Sequence, residues 1–126
     1  MTCHFILYVR DQTASTSFYC SILGQEPTLN VPGMTEFQLE PNCILGLMPE
    51  KGIKRLLGDA IRDPEATTGA SRAELYLRVS DPKIYMNRAK ELSAKILSEI
   101  KARDWGDEAG YIMDPDGHVV AFARPL

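Results

Sequence analysis

The sequence predicts an α+β fold made of two β-α-β-β-β modules, and three observations carry that prediction. An alternating apolar segment occurs twice, as Phe5–Asp11 and again as Leu75–Asp81, with Leu, Val and Asp identical between the copies. Each copy ends at an aspartate that leads into a helical pattern. Each helix is then followed by three short strand candidates separated by turn residues.

The elements follow in order. Period-two alternation marks a half-buried strand. One face carries Phe5, Leu7 and Val9, echoed by Leu75, Leu77 and Val79; the other carries His4, Ile6 and Tyr8, echoed by Glu74, Tyr76 and Arg78. In the first helix Asp11 is the N-cap, Ala14, Phe18 and Ile22 form the apolar stripe, and Gly24 is the stop. Its Thr and Ser content is poor for helix propensity, so packing must hold it. In the second helix Asp81 caps, Pro82 opens the first turn, and Tyr85, Ala89 and Leu92 form the stripe. Strands are expected at Pro27–Val31, Met34–Leu39 and Cys43–Met48 in the first copy, and at Ile96–Arg103, Gly110–Met113 and His118–Ala123 in the second. Trp105-Gly106-Asp107 and Asp114-Pro115-Asp116-Gly117 separate the last three, the latter suiting a type I turn. The organisation is one domain over 1–126, with modules 1–48 and 73–126 joined by a connector 49–72. Within that connector Gly52–Leu57 is expected to form a helical turn. A connector of this length is either a binding loop or a disordered linker.

Composition limits the function classes. The chain has 126 residues, 44% apolar and 25% charged, with net charge −3, proportions ordinary for a globular domain. No apolar run reaches the roughly 18 residues of a membrane span. Lys and Arg are scattered and pI is about 5.4, so the basic footprint of a nucleic-acid binder is missing. No secretory signal opens the chain. Cys3, Cys20 and Cys43 form no CxxC pair and read as reduced thiols of a cytoplasmic protein.

With the repeat in place, His4-Phe5-Ile6-Leu7-Tyr8-Val9-Arg10-Asp11, Phe18-Tyr19, Leu23-Gly24, Gly110-Tyr111 and Asp114-Pro115-Asp116-Gly117-His118 resemble the glyoxalase/bleomycin-resistance/extradiol-dioxygenase group, the vicinal oxygen chelate superfamily. The resemblance covers nearly the whole chain apart from the connector. It implies curved strands wrapping a cup, a small-molecule site on the concave faces, and completion in a two-fold homodimer.

Metal-dependent members of that superfamily resemble one another at four inward positions, on the first and last strand of each module. Carried onto this chain, these fall on His4, Gly46, Glu74 and Ala121. Glycine and alanine offer no ligand, so only His4 and Glu74 remain, unless Glu36 or Cys43 joins them. Glyoxalase I activity is therefore not expected, since the last-strand carboxylates are absent. His4 and Glu74 occupy equivalent points of the repeat, and pseudo-symmetry would bring them together as a hydrogen-bonding anchor or base. His118 shares a face with Val120 and Phe122, away from the cup.

Tyr8, Tyr76 and Arg78 are expected to face the cup with Ile6 and Met48, a set suited to an aromatic ligand bearing an anionic group. Trp105 sits in a loop that either closes over a ligand or fills a dimer contact. The expected function is metal-free binding of an aromatic or anionic small molecule, of the bleomycin-resistance type. Its site residues are His4, Ile6, Tyr8, Met48, Glu74, Tyr76, Arg78 and Trp105; no catalytic residue is assigned and no cofactor is expected. The first alternative is a lyase, isomerase or dioxygenase holding a divalent metal through His4 and Glu74 in a degenerate site. The second is a protein-interaction domain with an empty cup.

Overall fold

The computed structural model describes residues 1–67 and 69–126. They divide into two compact units, one of Met1–Cys20 with Gly24–Thr68, the other of Ser21–Leu23 with Gly69–Leu126. The α+β class and the two β-α-β-β-β modules hold: each module builds one mixed four-stranded sheet that stays open. Among the described residues no helix is long and apolar enough to cross a membrane.

The first module runs β1 (Cys3–Val9), α1 (Gln12–Leu23), β2 (Leu29–Val31), β3 (Met34–Glu40) and β4 (Cys43–Pro49). Its sheet order is β1-β4-β3-β2, with β1 parallel to β4 and the other pairs antiparallel. Asp11 caps α1 by accepting from the Ala14 amide at 3.0 Å, and Gly24 ends it in the left-handed conformation at φ 67°. The buried stripe differs from the expected one. Ser15, Thr16, Tyr19 and Ile22 are buried, whereas Ala14 is exposed and Phe18 half-buried. The reason is that two polar residues find partners. The Thr16 hydroxyl lies 2.8 Å from the Thr35 hydroxyl, so that face of α1 can be buried although it is not apolar. Tyr19 then packs on Phe37, ring centroids 6.4 Å apart. On β1 the inward face is weaker than its alternation implies, since Phe5 is exposed and only Val9 is fully buried.

The connector is ordered where described. It holds α2 (Glu50–Leu57), two full turns rather than one, and short 3-10 turns at Gly58–Ala60 and Pro64–Ala66. Lys54 closes the end of α2 by donating to the Gly58 and Ile61 carbonyls at 2.8 and 2.9 Å. These elements account for most of 50–66, while position 68 lies outside the described residues.

The second module runs β5 (Glu74–Arg78), α3 (Pro82–Glu91), β6 (Lys95–Ala102), β7 (Asp107–Met113) and β8 (Val119–Pro125), in the order β5-β8-β7-β6. Asp81 caps α3 through the Lys83 amide at 3.1 Å, with Pro82 in the first turn. Pro82, Met86 and Ala89 are buried, and Tyr85 stacks on Phe122 at 4.8 Å. Leu92 is exposed instead, because α3 stops at Glu91 and Leu92 is already its C-cap. The Asp114–Gly117 turn forms as expected: Asp114 Oδ1 accepts from the Asp116 and His118 amides, and Gly117 adopts φ 89°. The largest boundary difference is β7, which begins at Asp107 instead of Gly110. The turn-like Trp105-Gly106-Asp107 sequence predicts a later start, but the hairpin continues to Asp107, the Arg103 amide donating to its carbonyl at 2.7 Å. The ends of the other strands that follow the helices differ by at most two residues, as the frayed ends of strands do.

Candidate functional site

The second sheet carries the more elaborate surface. In register, Glu74, Tyr76 and Arg78 of β5 lie beside Val119, Ala121 and Ala123 of β8, and these lie beside Met113, Tyr111 and Ala109 of β7. Alternation places Asp107 on the same face. Strands stand about 4.8 Å apart, so β5 and β7 are separated by about 10 Å across β8. That span can be bridged only if the strand between carries small side chains. Ala121 and Ala123 meet the requirement and are fully buried.

Over this floor a polar network closes. The Tyr76 hydroxyl donates to Asp107 Oδ2 at 2.7 Å and accepts from the Trp105 indole N–H at 3.0 Å. Arg78 donates from Nε to Oδ2 and from Nη2 to Oδ1, each at 3.2 Å. Asp107 is only 2% exposed, whereas the Arg78 side chain is 63% exposed. A buried carboxylate therefore fixes the plane of a guanidinium whose three other N–H groups remain for solvent or a ligand. Beside it the Arg103 guanidinium lies 5.0 Å over the Tyr111 ring, a cation–π arrangement. Arg103 is held by the Ala109 carbonyl and the Ser98 hydroxyl.

Both tyrosines hold their protons above the ordinary tyrosine value. For Tyr76 the main cause is burial; the Trp105 bond works against it and Asp107 adds to it. For Tyr111 burial leads, followed by the negative charge of Glu74, with Arg103 opposing. A phenol whose folded-state pKa is raised adds stability that is complete below the unfolded value, about 10. That contribution disappears as pH rises through the folded-state value. Tyr76→Phe and Tyr111→Phe are each expected to lose less stability than the parent as pH rises above the ordinary tyrosine value of about 10. Denaturant titrations across that rise, with phenolate absorbance followed in parallel, check it.

The first sheet repeats the device on a smaller scale. Ile6 of β1 and Glu36 of β3 flank Gly46 of β4 in register. His4 Nδ1 reaches Glu36 Oε2 at 3.2 Å, the two side chains 41% and 22% exposed. Gly46 keeps the floor low: a Cβ there would lie 3.1 Å from Ile6 Cγ1 and 3.3 Å from Met34 Sδ. Met34 and Glu36 thus join the expected His4, Ile6, Tyr8 and Met48 on this sheet. The carboxylate on His4 is Glu36, while Glu74 acts on Tyr111 within its own unit. A cavity of about 510 Å³ also lies in the first unit, lined by Gln12, Thr16, Asn30 and Pro32 among others. The Gln12 amide beside it is fully used, bonding the Val31 carbonyl, Thr35 hydroxyl and Gly33 amide.

Of the expected residues in the second unit, Tyr76, Arg78 and Trp105 come together. Asp107, Tyr111 and Arg103 were missed. Alternation run backward from Tyr111 through Ala109 to Asp107 was the available signal, obscured by assigning Asp107 to a turn.

The model of the glyoxalase-like domain family matches residues 2–126. The chain belongs to the glyoxalase-like family. No curated protein matches it in sequence. Among solved structures, a glyoxalase/bleomycin resistance protein/dioxygenase family enzyme from Burkholderia phytofirmans PsJN is similar with a TM-score of 0.81 at 15% identity, covering 98% of this chain and 97% of that one. A glyoxalase-related enzyme from Fulvimarina pelagi is similar with a TM-score of 0.80 at 23% identity, covering 98% and 87%. A lactoylglutathione lyase from Agrobacterium tumefaciens is similar with a TM-score of 0.73 at 20% identity, covering 98% and 92%. At these identities the likeness establishes the fold.

The donor set of this glyoxalase-like chain does not fit the metal its superfamily implies. Of the four implied positions, His4 in the first unit and Glu74 in the second carry a donor, Glu36 lies beside His4, and Gly46 and Ala121 carry none. Among the described residues no group of three or more His, Cys, Asp or Glu is placed to hold an ion. A catalytic zinc centre takes three protein ligands.

Proposed function

We propose that this glyoxalase-like protein binds a small aromatic anion without a metal, on the face formed by Tyr76, Arg78, Trp105 and Tyr111. The observation that carries the reading is Arg78 itself: an exposed guanidinium fixed in plane by a buried aspartate, beside aromatic rings. Arg pairs with carboxylates through two parallel N–H donors, so prior orientation lowers the entropy lost on binding. Trp105 and Tyr76 provide flat apolar area at low conformational cost. Ala121 of β8 carries no carboxylate at the last-strand position where the resemblance places a metal ligand, and the Asp107 carboxylate is taken up by Tyr76 and Arg78. His4 with Ile6, Tyr8 and Met48 forms a second, smaller polar-aromatic surface. A two-fold homodimer belongs to the same proposal, since β1, β2, β5 and β6 end the two sheets and symmetric pairing is the common way to cover such edges. A dimer mass in sedimentation at micromolar concentration is expected.

The test is calorimetric titration with naphthoate and with its neutral amide, naphthamide, alongside metal analysis of protein purified without chelator. Naphthoate is expected to bind at least about tenfold more tightly than naphthamide, and Arg78→Gln to remove the difference. Equal affinity for the two compounds, or stoichiometric metal in the purified protein, would overturn the reading.

A further inference from the structure

Cys3 opens β1 and Cys43 opens β4, and the parallel register makes them Cα partners. Neighbouring strands run about 4.8 Å apart, within the Cα separation of about 4.4–6.8 Å that a disulfide accepts. Residues in register present their side chains to the same side of a sheet, here the side of Leu45 and Leu47. The strand starts are already tied, since the Cys3 amide donates to the Asn42 carbonyl at 2.8 Å. Both thiols are free, Cys3 exposed and Cys43 half-buried. Met1 and Thr2, which lead into Cys3, are exposed and unpaired in the sheet, so the start of β1 can shift the small distance that bond formation requires.

We propose that Cys3 and Cys43 are a modification site, joined by a reversible intramolecular disulfide when the protein meets a peroxide. The exposed Cys3 thiolate attacks one peroxide oxygen, the O–O bond breaks, and Cys3 becomes a sulfenic acid as water leaves. The Cys43 thiolate then attacks the Cys3 sulfur, the S–S bond forms, and a second water departs. Two electrons pass from the sulfurs to the peroxide, and two thiols plus hydrogen peroxide give one disulfide plus two waters. Cys20 is a poor competitor. Burial, with the negative charge of Glu26 near its sulfur, raises its pKa and lowers its thiolate fraction. The bond pins the edge strand that carries His4 to its neighbour and closes the chain from 3 to 43 into a loop.

The experiment treats the full chain with a small excess of hydrogen peroxide. Thiol titration is expected to fall from three groups to one, with a mass lower by two hydrogens, full recovery in dithiothreitol, and a melting temperature raised by several degrees. Digestion after Lys, Arg and Glu, except before Pro27 and Pro41, places Cys3, Cys20 and Cys43 in separate peptides, 1–10, 11–36 and 37–50, and the linked pair is expected to be 1–10 with 37–50. Cys20→Ser is expected to keep the bond and Cys3→Ser, at an exposed position, to abolish it. Separate oxygen adducts on Cys3 and Cys43, a bond that includes Cys20, or cross-links only between chains would overturn the proposal.

Discussion

Asp107→Ala is expected to destabilise the protein by about 2 kcal/mol and to weaken naphthoate binding by at least about tenfold. Three hydrogen bonds to one carboxylate vanish together, two from Arg78 and one from Tyr76. Each bond to a charged group contributes about 1.5–3 kcal/mol where both partners are buried. The sum is discounted because Arg78 is largely exposed and water replaces its lost partner. The effect on binding has a separate origin: without Asp107 the guanidinium samples many rotamers, and ordering it on the ligand costs free energy. Urea denaturation reads the first effect and calorimetry the second. Asp107→Asn separates them further, since it retains acceptor geometry at one atom and removes the charge. Unchanged naphthoate affinity in Asp107→Ala would show that orientation of Arg78 does not matter.

A larger loss of stability is expected from Phe122→Ala, about 3–5 kcal/mol. Phe122 is fully buried on the helix-facing side of β8 and stacks on Tyr85 of α3. Removing the ring forfeits its transfer free energy and the stacking contact, and leaves a cavity that the sheet cannot collapse to fill. Domains of this size have total stabilities of about 5–15 kcal/mol, so the variant loses a large share of that margin. Leu92→Ser is the matching control. Leu92 is exposed at the end of α3, and a change within about 0.5 kcal/mol is expected there. Midpoints and slopes from urea titrations distinguish the two.

The repeat, both helix caps and the Asp114–Gly117 turn were legible because each depends on local chemistry. An aspartate before a helical pattern offers its oxygen to an amide two or three residues onward, whatever the rest of the chain does. The stripe on α1 was misread for a nonlocal reason. Ser15 and Thr16 look like exposed residues until Thr35, on another element, supplies a hydroxyl for Thr16. Apolar periodicity then selected Phe18, while the buried aromatic is its neighbour Tyr19.

By itself the sequence determined the fold class, the family likeness, and which positions lack a metal-binding side chain: Gly46 and Ala121 are read directly from the letters. The tertiary structure decided what those small residues are for. His4 meets Glu36 beside Gly46, and Tyr76 and Arg78 meet Asp107 across Ala121 and Ala123. Partners two strands apart are set by register and by the height of the side chains between them. Neither quantity is a property of any one segment, so no local pattern could pair these residues before the sheets were assembled.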